Sequence, residues 1–148
     1  MENSLIIRQV KEHEYEEMLD LQWKILFKPY GKDKNTVRKI IDEEKNNLYF
    51  FVGLIDSEIE GAARLKKLNE TEGRIEYMAI KKESEIKRIG PSILNFIEWY
   101  ARGLKLEKIL AQVREDYENV FETCQYEKKG PRKAKVNDAQ MVIWRKAL

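Results

Sequence analysis

The segment Ile75–Ser92 (IEYMAIKKESEIKRIGPS), run straight into ILNFIEWYARGL, constrains the fold of this chain more than any other. It reads as an apolar strand, a basic loop ending in Gly90 and the start of an amphipathic helix. That order aims a helix N-terminus, with unpaired N–H groups and the positive end of its dipole, at whatever lies beyond the strand. Such a place suits a phosphate-bearing ligand. A further strand pattern, Lys108–Val113, follows the helix, so Arg74–Val113 is expected to form a right-handed parallel crossover. Ligands in such sheets sit beyond the carboxyl ends of the strands, which puts Ile80–Gly90 at the binding edge.

Around this unit the periodicity changes several times. Leu5–Gln9 alternates as a first strand, and Glu12–Phe27 carries a mostly helical apolar stripe that Lys28-Pro29-Tyr30-Gly31 ends. Lys34–Lys45 reads as a second helix. Leu48–Ile55 and Glu58–Lys67 are β-rich runs joined through Asp56-Ser57 as a hairpin, and Leu68–Gly73 is turn-like. Arg74–Ile80 is a strand, Pro91–Leu104 the crossover helix, Asp116–Thr123 a short helix and Gln140–Lys146 a closing strand. Glu127–Asp138 is a charged loop with room for a strand at its start. The order β-α-α-β-β-β-α-β-α-β is mixed α/β, with antiparallel hairpins feeding one crossover.

Composition acts mainly by exclusion. A chain of 148 residues is expected to be one domain, over 1–148, and is long enough to bury a core. Its 28 basic and 26 acidic residues give a net charge of +2, without the basic excess of a nucleic-acid binder. No apolar run approaches the roughly 20 residues of a membrane span, and MENSLIIRQV lacks the regions of a signal peptide. Cys124 is the single cysteine, so no intramolecular disulfide forms, and a cytoplasmic location is expected. His13 is the single histidine, which removes His clusters, Cys/His zinc sites and a Ser-His-Asp set. It reads as a surface or capping residue, and no metal site is expected.

With the elements placed, IEYMAI resembles the fourth strand of the GNAT superfamily of acyl-CoA-dependent N-acyltransferases, commonly a variant of xxxMAV. YENVFETCQYEKKG resembles that family's NAxxFYEKLGF segment, and Ile25–Gly31 (ILFKPYG) is similar to the VLRKPLG of a bacterial subgroup. The resemblance implies a GNAT-like α/β fold: a twisted, mixed, mostly antiparallel sheet with helices on both faces. It also implies acyl transfer, foremost of acetyl, from acetyl-CoA to a primary amine of a small molecule or peptide. Met78, Ala79 and Ile80 would hold the pantetheine, and Lys87, Arg88, Ile89, Gly90 and Ser92 the pyrophosphate.

Several positions depart from the family pattern. Its pyrophosphate loop, [Gln/Arg]-x-x-Gly-x-[Gly/Ala], falls on Glu85, Arg88 and Gly90, of which Gly90 alone is kept. Arg88 adds a Cβ where glycine lets the backbone approach a diphosphate, although its guanidinium can itself pair with phosphate. Glu85 adds negative charge and Pro91 removes an N–H, so weak cofactor binding is expected. Phe121 occupies the place of the family's proton-donating tyrosine. Tyr117 and Tyr126 flank the short helix at other offsets and would need a shifted geometry to serve. Gln125 replaces a glycine, and Cys124 reads as packing.

Glu76, on the fourth strand, is the candidate base for a substrate ammonium. Beside Arg74 it reads equally as an ion pair on a solvated face. Phe96, Trp99 and Tyr100 are spaced to pack on the sheet. An outward residue among Tyr49, Phe50 and Phe51, or Trp144, would line an acceptor groove or a homodimer seam. The cations Lys128, Lys129, Arg132, Lys133 and Lys135 form a solvated loop or face an anion. The losses at Glu85, Arg88 and Phe121 leave one alternative: a non-catalytic domain of the same fold that senses a ligand or binds a protein.

Overall fold

The computed structural model describes residues 4–42, 46–129, 134–136 and 139–148, with the side chains of 41–42, 85–87, 134–136 and 139–141 outside the description. Strand β1 (Leu5–Gln9) leads into α1 (Tyr15–Gln22) and α2 (Lys34–Asp42). Then come β2 (Leu48–Ile55), β3 (Glu58–Lys67) and β4 (Glu72–Ile80). Helix α3 (Ile89–Gly103) crosses to β5 (Lys108–Arg114), followed by α4 (Glu118–Thr123). Strands β6 (Glu127–Lys128), β7 (Ala134–Val136) and β8 (Ala139–Ala147) close the chain.

Local chemistry explains the pairings. Asp56 and Ser57 both take left-handed φ, 50° and 71°, the two-residue turn that matches strand twist, so β2 and β3 pair antiparallel across it. Among the described residues eight strands form one sheet in the order β1-β2-β3-β4-β5-β8-β6, with β7 on β8. The β4–β5 pair is parallel and joined by α3, as the crossover pattern predicts, and the other pairs are antiparallel.

Side-chain alternation assigns the helices to opposite faces. Met18 and Leu21 of α1 cluster with Val52, Leu54 and Ala62, whereas Ile89, Ile93, Leu94 and Ile97 of α3 cluster with Phe51, Ala63, Leu65 and Ile75. The mixed α/β fold with helices on both faces is therefore present. No helix among the described residues is long and apolar enough to cross a membrane.

Some boundaries differ from the sequence pattern. The helix expected over Glu12–Phe27 is a short 3-10 turn, then α1, then a π-helical turn at Trp23–Phe27. Helix α3 starts at Ile89, so Pro91 lies inside its first turn, and β4 starts at Glu72. Lys45, Arg132 and Lys133 lie outside the described residues, as does the side chain of Lys135. Trp99 does not pack on the sheet. It is 66% exposed, because it follows Ile97 by two positions and so points roughly 200° around the helix from that core residue. Phe96 and Tyr100 do reach Phe51. Trp144 is core rather than a seam residue, buried with Ala111 and Val113.

A charged clamp joins β1 to α1. Arg8 holds both Glu14 carboxylate oxygens, at 2.6 and 2.7 Å, and the Lys11 N–H donates to the same carboxylate at 2.9 Å. The Arg8 guanidinium, with the Lys11 amide, holds the Glu14 carboxyl at about 2, below its ordinary value of 4.5. A depressed folded-state value means stability that is present above the unfolded value and lost as pH falls through the folded one. Wild type is thus expected to lose stability between about pH 5 and about pH 2 more steeply than Glu14→Gln. Urea midpoints across that range check this; parallel curves would remove the clamp's role.

Candidate active site

A bulge opens the sheet at β4. Ala62 of β3 pairs with Ala79, but Arg64 pairs with Glu76, so β4 carries one extra residue between them. Tyr77 lies in that stretch with φ at 53°, a conformation tyrosine adopts only when its surroundings hold it. Gln22, fully buried at the end of α1, donates from Nε2 to the Tyr77 carbonyl at 3.1 Å. Arg64 stacks its guanidinium over the Tyr77 ring at 4.6 Å. Beyond the bulge β4 leaves β5: their pairing ends at Ile75 and Ala111, while β4 continues to Ile80 and β5 to Arg114. The two strands splay apart at their carboxyl ends.

The Tyr117 hydroxyl sits at this splay. Lys81 N donates back to Glu60 on β3, so the preceding amide, that of Ile80, points away from β3. It donates to the Tyr117 hydroxyl at 3.1 Å, with both residues buried. Tyr117 is placed by the 3-10 turn Glu115–Tyr117, one turn ahead of Phe121. Phe121 lies in the core, edge-on to Tyr126. At the end of β5, Arg114 reaches the Ile25 carbonyl at 3.5 Å and the Tyr30 hydroxyl at 3.4 Å, which ties the ILFKPYG segment to the same end of the sheet.

Glu76 is enclosed. Arg64 donates to its Oε1 from Nε at 3.1 Å and Nη2 at 2.7 Å, and Arg74 donates to Oε2 from Nε at 2.9 Å. The residue is 7% exposed. Of its two readings, the ion pair is the one that the geometry displays, buried rather than solvated. Both oxygens already accept from guanidinium groups.

Tyr126 lies elsewhere. Its hydroxyl donates to Glu98 at 3.3 Å, and Lys146 donates to Glu98 and to the Cys124 carbonyl at 2.8 Å each. Glu98 is eight residues beyond Gly90 on α3, about 12 Å along the helix axis. Burial, then the Glu98 charge, pushes the Tyr126 phenol far up, and burial also raises the Cys124 thiol. This cluster braces α3 against β8. A separate hollow of about 400 Å³, lined by Lys108, Gln125, Glu127, Arg145, Lys146 and Ala147, sits at the opposite end of β5.

Between β4 and α3 the backbone folds on itself. Lys82–Lys87 is a 3-10 turn in which the Ser84 N–H donates to Lys81. The side chains of Glu85 and Lys87 lie outside the described residues. The Ser92 N–H and hydroxyl both donate to the Arg88 carbonyl, at 3.2 and 2.9 Å. Ile89 is core, and Gly90 is needed for close approach. A Cβ there would stand 2.9 Å from Ile80 Cδ1 and 3.0 Å from Val120 Cγ1.

Arg88 takes φ at 59°, keeping the left-handed backbone of a glycine loop without the glycine. Glycine at this position removes a penalty of about 1–2 kcal/mol and adds about 0.5–1 kcal/mol of unfolded-chain entropy. Arg88→Gly is therefore expected to stabilise the fold by about 0.5 kcal/mol. Denaturant titration tests it; a destabilised variant would show that the arginine side chain holds the turn.

Sequence reasoning missed Gln22, Arg64 and Arg114. A lone arginine directly after the small residues Gly61, Ala62 and Ala63 was the available signal for Arg64. No group of three His, Cys, Asp or Glu side chains among the described residues could hold a metal.

Residues 15–123 match the family model described as the Acetyltransferase (GNAT) family. Solved structures agree in fold. An acetyltransferase of the GNAT family from Staphylococcus aureus Mu50 superimposes with a TM-score of 0.80 at 12% identity, covering 97% of this chain and 99% of that one. A probable acetyltransferase from Staphylococcus epidermidis ATCC 12228 gives 0.76 at 14% identity, over 97% and 99%. A GNAT family acetyltransferase from Elizabethkingia anophelis, solved with acetyl-CoA bound, gives 0.72 at 13% identity, over 97% and 98%. No curated protein matches the sequence at a significant level.

Proposed function

Because this chain belongs to the GNAT acetyltransferase family, matching its model over residues 15–123, we propose that it transfers an acyl group, foremost acetyl, from acyl-CoA to a primary amine of a small molecule or peptide. The observation that carries this reading is the Tyr117 hydroxyl on the outward Ile80 amide, in a splay that a bulge holds open. Acyl-CoA supplies an activated thioester; the chain supplies a donor for the carbonyl and a proton for the sulfur. The amine nitrogen, once it has lost its ammonium proton to solvent, bonds to the carbonyl carbon, and Tyr117 gives its proton to the departing sulfur as the C–S bond breaks. It takes one back from solvent, which receives the proton that the acylated nitrogen sheds.

The other residues support this centre. Glu76 is a positioning residue here, fixing Arg64 over the bulge rather than removing a proton. The pantetheine end fits the Met78–Ile80 edge. The diphosphate end fits less well by backbone, since the Ser84 and Ser92 amides are spent locally and Pro91 has none. Exposed Lys82 and Arg88 take that part by charge. Phe121 no longer argues for a non-catalytic domain, because a hydroxyl one turn earlier stands at the splay.

The test is thiol release from acetyl-CoA across a panel of primary amines, with the acetylated amine identified by mass spectrometry. Steady turnover with at least one amine is expected. No turnover, and no thermal shift at millimolar acetyl-CoA, would sink the proposal.

A further inference from the structure

We infer that Tyr117 and the acyl group compete for one donor: in the free protein the Tyr117 hydroxyl occupies the Ile80 N–H, and the thioester carbonyl takes that N–H over on binding. This rests on the acyl-CoA reading above and adds a coupling to it. The Ile80 N–H is buried and turned away from β3, and a buried N–H without a partner is costly. The splay that offers the amide to a ligand also strips it of a strand partner. Tyr117 meets that need at 3.1 Å when no ligand does.

The exchange moves Tyr117 rather than β4. The Ile80 side chain is wedged by the close approach of Gly90 on α3, and Gln22 and Arg64 brace the bulge. Tyr117, by contrast, stands outside the sheet on the 3-10 turn that leads into α4, its ring packed in the core, so the exchange asks only for a tilt of that one side chain. A hydroxyl accepts and donates, so once off the amide it can turn its proton toward a new acceptor. In a thioester the sulfur and the carbonyl oxygen share one carbon. A hydroxyl displaced by the oxygen is therefore left beside the sulfur. Binding the acyl group and aiming the proton donor become one event.

The consequence is unusual for a proton donor: removing its hydroxyl should tighten binding. Calorimetry with acetyl-CoA and with CoA, on wild type and Tyr117→Phe, reads it directly. The variant is expected to bind acetyl-CoA about three- to tenfold more tightly, because its orphaned N–H gains a partner. CoA lacks the acyl carbonyl and should gain nothing. Unchanged or weaker acetyl-CoA affinity in the variant, or an equal gain for CoA, overturns the exchange while leaving the acyl-CoA reading intact. No binding by either protein overturns the acyl-CoA reading itself. If Tyr117→Phe fails to fold, the ¹⁵N-labelled Ile80 amide of wild type decides. Its resonance should move with acetyl-CoA and stay nearly fixed with CoA, and equal movement with both overturns the exchange.

Discussion

Tyr117→Phe is expected to lower kcat by about a hundredfold, the lower end of what a positioned proton donor contributes. The substitution removes one oxygen and keeps the ring that packs in the core around Phe121. Its structural cost is the unpaired Ile80 N–H, about 1–3 kcal/mol, readable as a lowered melting temperature of the free protein. The catalytic cost is separable from it. A thioester of a more acidic thiol leaves without help, so the gap between wild type and variant should narrow with such a substrate. A purely structural tyrosine would cost the same for every leaving group. Unchanged kcat in the variant would remove Tyr117 from the chemistry.

The crossover unit was legible because its signals are local. Ile75–Ile80 is apolar, Ile89–Gly103 has a helical stripe, and the turn residues between them are adjacent in the chain. The same holds for the Asp56-Ser57 hairpin. What escaped was long-range or silent in residue type. A π turn at Trp23–Phe27 leaves the apolar stripe of α1 almost unchanged, so periodicity cannot detect it. The bulge carries tyrosine at a positive φ where glycine would have been the flag.

The sequence does not separate the two candidate tyrosines. Matching YENVFETCQYEKKG position by position puts Phe121 in the place of the family's tyrosine and leaves Tyr117 and Tyr126 as equals. They differ because a 3-10 turn before α4 swings Tyr117 to the edge of β4, whereas Tyr126 follows the helix and drops toward Glu98. A motif register counts residues. Where a hydroxyl ends up depends on where the helix begins.

Glu76→Ala is expected to destabilise the fold by about 3–5 kcal/mol, the largest stability loss of any substitution proposed. The reason is what remains, not what is removed. Arg64 is as buried as Glu76 and cannot shed its charge, so the variant takes away the carboxylate that the Arg64 and Arg74 guanidinium groups share. Glu76→Gln keeps the volume and one accepting oxygen, and should lose less. Removing the whole cluster, as Arg64→Met, Arg74→Met and Glu76→Leu together, should recover most of the loss, since apolar packing of similar volume replaces a buried ion pair at little cost. Urea titration of the variants measures these differences. The triple variant separates two roles, because it restores the sheet but not the guanidinium over Tyr77. If the cluster exists to hold the bulge, the triple variant folds well and transfers acyl groups poorly. A Glu76→Ala protein within about 1 kcal/mol of wild type would mean that the arginines find water or another acceptor, and the carboxylate would return as a candidate base.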